Sequence, residues 1–332
     1  MALAIALLCS ACSPKARTKE VAYVTAPQVY LRDRVAAIYN KVALLKNGDQ
    51  VEVLERARRF VRVRTAAGQE GWVEQRYLIG PEVFDGLQKL AADSRDIPVQ
   101  ATGIMRSDTN MHLTAGRDTE HLYQLGEGNK VDILKRTVAE KTPAAAVPVK
   151  ADIDEKREPA KPVLEDWWLV RDSQGRVGWV LSRMVDLDLP LEVAQYAEGQ
   201  RVVGAFVLNR VHDAEKDVPQ YLMMLTEPRD GMPFDFNQIR VFTWNLKRHR
   251  YETAYRERSL FGLFPVVVKQ EPFDKEGVLP VFIFPAQDNE GKVQSRKYKL
   301  NTPIVRRVLS PEEQQALATN PPPKRSHSRR RR

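Results

Sequence analysis

Apolar and polar positions alternate singly along much of this chain. Val61-Arg62-Val63-Arg64, Ile239-Arg240-Val241-Phe242-Thr243-Trp244 and Tyr251-Glu252-Thr253-Ala254-Tyr255-Arg256 show this pattern, which suits a strand with one buried face. Helical spacing appears in two places. Between Pro81 and Ser94, residues Phe84, Leu87, Leu90 and Ala91 share one helical face behind a proline suited to a first helical position, predicting a short helix over 81–95. Ser310-Pro311-Glu312-Glu313 reads as a capping box opening a second short helix through Ala318. Beyond Leu189, eight strands are predicted at 201–211, 220–226, 239–246, 251–258, 264–269, 278–285, 295–300 and 304–309. Asp230-Gly231 and Glu290-Gly291 mark turns between them, and Lys247-Arg248-His249-Arg250 forms the basic tip of a hairpin. Eight strands in one region predict an antiparallel sandwich or barrel over 189–309.

The first half contains a repeat. Leu45-Lys46-Asn47-Gly48-Asp49-Gln50-Val51-Glu52-Val53-Leu54-Glu55-Arg56 matches Leu125-Gly126-Glu127-Gly128-Asn129-Lys130-Val131-Asp132-Ile133-Leu134-Lys135-Arg136 at an offset of 80 residues. Val61 to Val73 matches Trp168 to Val180 at an offset of 107. The second copy therefore carries 27 extra residues, placed near 138–164. That insertion has four prolines, an Ala144-Ala145-Ala146 run and no apolar period, and reads as a flexible loop. Each copy predicts a glycine turn, an alternating strand, a hairpin at Ala67-Gly68 or Gln174-Gly175, and a returning Gly-Trp-Val strand.

Two ordered copies of this pattern resemble the bacterial SH3-like domain. The resemblance rests on Leu31-Arg32, Gly48 to Leu54 and Gly71-Trp72-Val73 in a first copy at 21–79. In a second copy at 101–186 it rests on His112-Leu113-Thr114-Ala115-Gly116-Arg117-Asp118-Thr119, Gly128 to Leu134 and Gly178-Trp179-Val180. In the second copy Thr114 and Arg117 stand where the family usually has Arg and Pro. The expected fold is all-β: tandem small barrels joined by the 81–95 helix, then the antiparallel β domain. Trp72 and Trp179 are expected in the barrel cores, with Gly71 and Gly178 allowing tight backbone packing. Phe60-Val61 and Trp167-Trp168 are adjacent pairs on strands, so one member of each is expected to face outward. Phe60, Tyr77, Trp167 and Trp168 are the candidate ligand-binding residues. The family resemblance implies a cell-wall peptide or glycan as ligand.

Ala2 to Leu8 reads ALAIALL, too short to span a bilayer and suited to the apolar core of an export signal. Cys9-Ser10-Ala11-Cys12 resembles the lipobox of bacterial lipoproteins. That resemblance implies a signal over 1–12, cleavage before Cys12 and lipidation of Cys12; Ser13 after it resembles an outer-membrane sorting signal. Cys9 and Cys12 are the only cysteines, so disulfide frameworks, cysteine-ligated metal centres and cysteine nucleophiles are excluded from the body.

Lys and Arg number 52 against 43 Asp and Glu, a net charge of +9. Six of those positive charges sit in the last nine residues, as Lys324, Arg325, Arg329, Arg330, Arg331 and Arg332, behind Pro321-Pro322-Pro323. The body is therefore close to neutral and unsuited to general nucleic-acid binding. The short helix and tail at 310–332 are expected to present a polycation to an anionic surface.

Reactive chemistry is sparse. His112, His121, His212, His249 and His327 lack metal-ligand helical spacing, and no nucleophile elbow, phosphate-binding loop or H-E-x-x-H occurs. His212-Asp213 reads as a surface turn, and Asp186 and Asp188 as solvated turn residues. No metal, cofactor or catalytic activity is expected. The sequence thus points to a non-catalytic, lipid-anchored envelope protein whose SH3-like domains face the periplasm and bind peptidoglycan or envelope proteins. The alternatives are an interaction scaffold of an envelope complex and, third, an envelope hydrolase.

Overall fold

A computed structural model describes residues 19–142, 162–288 and 290–319. The signal with Cys12, the tail from Lys324 to Arg332 and most of the insertion lie outside the described residues. Two compact units divide between Phe84 and Asp85.

The first unit contains strands β1 (Glu20–Val24), β2 (Gln28–Arg32), β3 (Lys41–Lys46), β4 (Gln50–Ala57), β5 (Phe60–Thr65), β6 (Glu70–Glu74) and β7 (Leu78–Ile79). They form one antiparallel sheet in the order β3-β2-β6-β5-β4-β1-β7. Its core holds Ala22, Val24, Leu31, Leu45, Val51, Val61, Val63 and Val73, the inward positions of the alternating runs. Helix α1 (Pro81–Asp93) begins here, and its Phe84 stacks on Tyr23 at 4.2 Å.

In the second unit, β8 (Ala101–Met105), β9 (Thr109–His112), β10 (His121–Leu125), β11 (Lys130–Glu140), β12 (Leu164–Asp172), β13 (Val177–Leu181) and β14 (Val185–Leu187) repeat the plan. Their order, β10-β9-β13-β12-β11-β8-β14, matches the first sheet strand for strand. The local features match as well. The register slips at Leu54 between β4 and β5 and at Leu134 between β11 and β12, a bulge that bends the strand in both copies. Gly68 and Gly175 turn with φ of 80° and 77°.

Gly71 and Gly178 have a different task. A Cβ on Gly71 would stand 2.9 Å from the Arg32 carbonyl oxygen, and one on Gly178 would stand 2.9 Å from Met111 Cβ. Strands β2 and β9 cross there, where Arg32 pairs with Trp72 and His112 with Trp179. Gly71→Ala is expected to cost about 1–3 kcal/mol, as overpacking against a backbone that cannot retreat; urea unfolding measures it.

This register corrects the sequence alignment of the second copy. His112, rather than Thr114, occupies the place of Arg32, and buried Met111 that of Leu31. The insertion is also shorter than its sequence pattern suggested. Val138, Ala139 and Glu140 pair with Asp166, Glu165 and Leu164, so β11 and β12 extend into the stretch read as loop.

The rest of the second unit consists of α2 (Leu191–Ala194), β15 (Arg201–Asp213), β16 (Lys216–Thr226), β17 (Gln238–Asn245), β18 (Arg250–Glu257), β19 (Phe261–Gly262), β20 (Val267–Phe273), β21 (Gly277–Gln287), β22 (Val293–Asn301), β23 (Ile304–Val308) and α3 (Pro311–Thr319). Strands β15-β16-β17-β18 form one sheet; β19-β21-β22-β23, with β20 beside β19 on the same edge of β21, form another. All eight predicted strands are present, and β19 is the addition. Tyr255 of β18 meets Tyr298 of β22 at 5.9 Å, and Tyr298 stacks on Phe282 at 5.0 Å. Glu257 accepts from both tyrosine hydroxyls, and burial with that carboxylate raises both hydroxyls above the ordinary tyrosine range. The capping box is reciprocal: Glu313 N donates to Ser310 Oγ, and Ser310 N to Glu313 Oε2.

The second seven-stranded sheet and the C-terminal sheets share a buried ion network. Arg136 donates to Asp166 at 2.7 Å, to Asp235 at 3.3 Å and to the Phe234 carbonyl at 2.9 Å. Asp166 also accepts from Arg201 and from Gly231 N. Burial pushes the Asp235 carboxyl up despite these donors.

Candidate functional site

The outward face of β5 and β6 in the first unit carries the clearest candidate site. Strand parity sends Val61, Val63 and Val73 into the core, which turns Phe60 and Trp72 outward. Together with Val35, Ala57, Arg58 and Arg59 they line an open groove of about 630 Å³, within the usual range for a small-ligand site. Both rings are half-buried, leaving a face for a ligand.

The walls are built by two turns. Arg58 and Arg59 form the two-residue connection between β4 and β5, and Arg58 adopts φ of 50°. A left-handed residue in such a hairpin is ordinarily Asn or Gly. An arginine there carries a backbone cost, and strain of this kind gathers at functional positions. Neither guanidinium has an ion pair or hydrogen-bond partner among the described residues, so both are available to an anion. The opposite wall is the loop 33–40, which presents Val35, half exposed. Asp33 closes its base: Asn40 N and Nδ2 each donate to the carboxylate at 2.9 Å, and Asp33 N donates to the Asn40 carbonyl at 3.1 Å.

The Arg34 guanidinium, then the Asn40 N–H, hold the Asp33 carboxyl down at about 2. Because this value is depressed in the folded state, the clasp is complete above the ordinary aspartate range and opens as pH falls through about 2. An NMR titration of the Asn40 amide is expected to show its midpoint near 2 rather than near the ordinary value of 3.8.

Beneath the groove, Arg32 bridges its components. Its guanidinium lies 4.3 Å from the Tyr39 ring centre and 5.3 Å from that of Phe60, and it pairs with Glu74 at 3.3 Å. Such a cation over an aromatic face contributes about 0.5–1 kcal/mol at an exposed site and fixes the ring for a ligand.

The four sequence candidates separate. Phe60 lines the groove. Tyr77 packs against the first core, with its hydroxyl accepting from Arg76 at 2.8 Å, and does not line the groove. Trp167 and Trp168 are both buried, at 3% and 4% exposure, so the expectation that one faces outward is corrected. Both faces of β12 are covered. Trp167 meets His112 edge-on at 5.3 Å, Trp168 reaches Phe264 at 6.4 Å, and neighbouring Leu169 lies under Leu90 and Ala91 of α1. Gly86 permits that helix to lie close, since a Cβ there would meet Leu113 at 2.9 Å.

Trp72 and Trp179, expected in the cores, instead lie on the outer faces, half-buried. Trp179 is covered by the α1 cluster, whereas Trp72 lines the groove. The corresponding place in the second copy holds a smaller pocket of about 400 Å³, bordered by His112, Arg117, Trp167 and Arg183. The arginine turn is replaced there by the long β11–β12 hairpin, and Arg32 by His112. Burial lowers the His112 imidazole's proton affinity. Arg117 holds Glu165 through two bonds of 2.7 Å and depresses its carboxyl.

The remaining polar candidates have structural partners. His212 meets Asp217 at 3.0 Å, while Asp213 accepts from Trp244 Nε1 at 2.6 Å and faces His249 at 2.7 Å. His212 and Asp213 thus point apart. Asp186 pairs with Arg106 and Asp188 with Lys130. Among the described residues, no group of three or more His, Cys, Asp or Glu is placed to hold a metal, and no helix is long and apolar enough to cross a membrane.

Residues 27–79 match the family model for the bacterial SH3 domain. The match covers the groove's Val35, Arg58, Arg59, Phe60 and Trp72. No curated protein matches the chain. Among solved structures, NlpC2 from Trichomonas vaginalis is similar at 10% identity over 85% of this chain and 97% of that one, with a TM-score of 0.18. An NlpC/P60 family protein from Bacillus cereus is similar at 9% identity over 85% of this chain and 95% of that one, with a TM-score of 0.23. Likeness at this level carries no argument about activity.

Proposed function

We propose that this chain is a non-catalytic envelope protein whose first SH3-like domain binds the peptide stems of peptidoglycan through the Phe60–Trp72 groove. The observation that carries the reading is the pairing, within a bacterial SH3 domain, of two outward rings with two unengaged arginines. Stem peptides present carboxylates, which guanidinium groups bind through paired hydrogen bonds, and planar peptide units, which aromatic faces accept. We further propose the address that the sequence suggests: lipid attachment at Cys12, residence at the outer membrane facing the periplasm, and attraction of the Arg-rich tail to an anionic surface.

Purified protein lacking 1–12 and 324–332 is expected to sediment with isolated peptidoglycan sacculi. Absence of retention would remove the cell-wall reading. The anchor is tested separately, by mass spectrometry of the mature N-terminus together with membrane fractionation. An acylated Cys12 in the membrane fraction is expected; an intact chain with Met1 in the cytosol contradicts it.

A further inference from the structure

A second cavity, of about 610 Å³, lies in the C-terminal β domain, far along the chain from the SH3 match. Its wall is formed by Gln200, Asn237, the β17 residues Gln238 and Arg240, and the turn from Arg258 to Phe261. We propose that this cavity binds a neutral saccharide.

The first argument is unmet hydrogen bonding. Among the described residues, seven buried side-chain polar atoms have no partner, and four belong to this lining: Gln200 Oε1, Asn237 Oδ1, Gln238 Nε2 and Arg240 Nε. Gln238 and Arg240 are each only 1% exposed. Buried polar groups are ordinarily satisfied, so their concentration on one wall is a feature to be explained. Two of the atoms are acceptors and two are donors. A hydroxyl can serve either kind, because it both donates and accepts. A saccharide presents several hydroxyls from one ring.

The second argument is charge. The lining has two carboxylates, Glu198 and Glu227, and two guanidiniums, Arg240 and Arg258. Arg240 grips Glu198 through bonds of 3.0 and 2.6 Å, and Arg256 adds to it, holding that carboxyl down at about 2. Glu227 is paired with Arg229, and Arg258 donates to Gln238 Oε1. Both carboxylates of the lining are ion-paired and Arg258 donates to a neutral amide, so the wall offers no free carboxylate to a cation, and its donors suit hydroxyl oxygens.

The third argument is the apolar rim. Phe261 is 38% exposed and meets Phe234 edge-on at 5.5 Å, so one ring braces the other. A braced, accessible aromatic face suits the C–H face of a sugar ring. Ser259, which also lines the cavity, takes a left-handed φ of 58°. This inference stands apart from the reading of the first domain, because no residue is shared.

The test uses the full chain with the N-acetylglucosamine trimer and cellotriose as separate probes, read by NMR shifts of the Asn237, Gln238 and Phe261 amides and by thermal shift. At least one sugar is expected to move these amides saturably and to raise the melting temperature. Phe261→Ala, at a partly exposed position, is expected to weaken that binding by about tenfold or more while leaving the sugar-free spectrum folded. Gln200→Ala provides a second reading of the same wall. Absence of saturable shifts with both sugars overturns the proposal, as does binding that survives both substitutions unchanged. Loss of sacculus binding in groove variants leaves these readouts unmoved.

Discussion

Arg136→Met is expected to lower the unfolding free energy by about 3–5 kcal/mol, because it removes the buried cation between two carboxylates, leaving Asp235 without an ion pair and Asp166 with Arg201 alone. Arg136 and Asp166 are only 5% and 3% exposed, and Asp235 is 15% exposed. Methionine replaces the stem of the arginine but none of its donors, so the Phe234 carbonyl also loses its partner. The repeat supplies an internal control. Arg56 occupies the equivalent place in the first copy, where it pairs with Glu20 at the surface. Arg56→Met is accordingly expected to cost at most about 1 kcal/mol. Adding Asp235→Asn to Arg136→Met is expected to recover part of the loss, since the carboxylate left without an ion pair is then gone. Urea midpoints of the four proteins measure the series. Equal losses at 136 and 56 would mean that the network does not hold the second unit together.

The second large effect is on ligand binding. Combined Phe60→Ala and Trp72→Ala substitution is expected to weaken sacculus binding by about 30-fold or more, the equivalent of at least about 2 kcal/mol. Both side chains point away from the first core, so the sheet is expected to remain folded by circular dichroism. Trp179→Ala is the contrasting change. That ring packs with Leu134, Leu169 and the α1 residues, so the expected result is lost stability with sacculus binding preserved in the protein that remains folded.

Period-two alternation was sufficient to read the strands, and the two offset matches were sufficient to read the duplication. Both depend on neighbours along one chain segment. The outward candidates were harder, because strand parity says which side a residue takes but not what covers that side. Phe60 and Trp167 occupy equivalent positions and each borders a pocket, yet the first is half-buried and the second is only 3% exposed, packed edge-on against His112. The difference comes from residues far along the chain. Trp72 was misread for a related reason: a tryptophan in a short strand suggested core, whereas Gly71 and Val73 take the inward places beside it. Arg58 and Arg59 carry no apolar period and match no motif. Their signal was present in the sequence, as a two-residue connection between two alternating runs filled by arginines instead of Asn and Gly. The ion network around Arg136 had no such signal, since Arg56 and Arg136 look alike in the repeat.

The most direct test of the central claim is calorimetric titration of a soluble muropeptide with free stem carboxylates into the wild-type chain and into Arg58→Glu/Arg59→Glu. The account expects saturable binding by the wild type that weakens as salt rises, and no measurable binding by the charge-reversed chain. Equal affinity in the two proteins, or no binding by either, would contradict it.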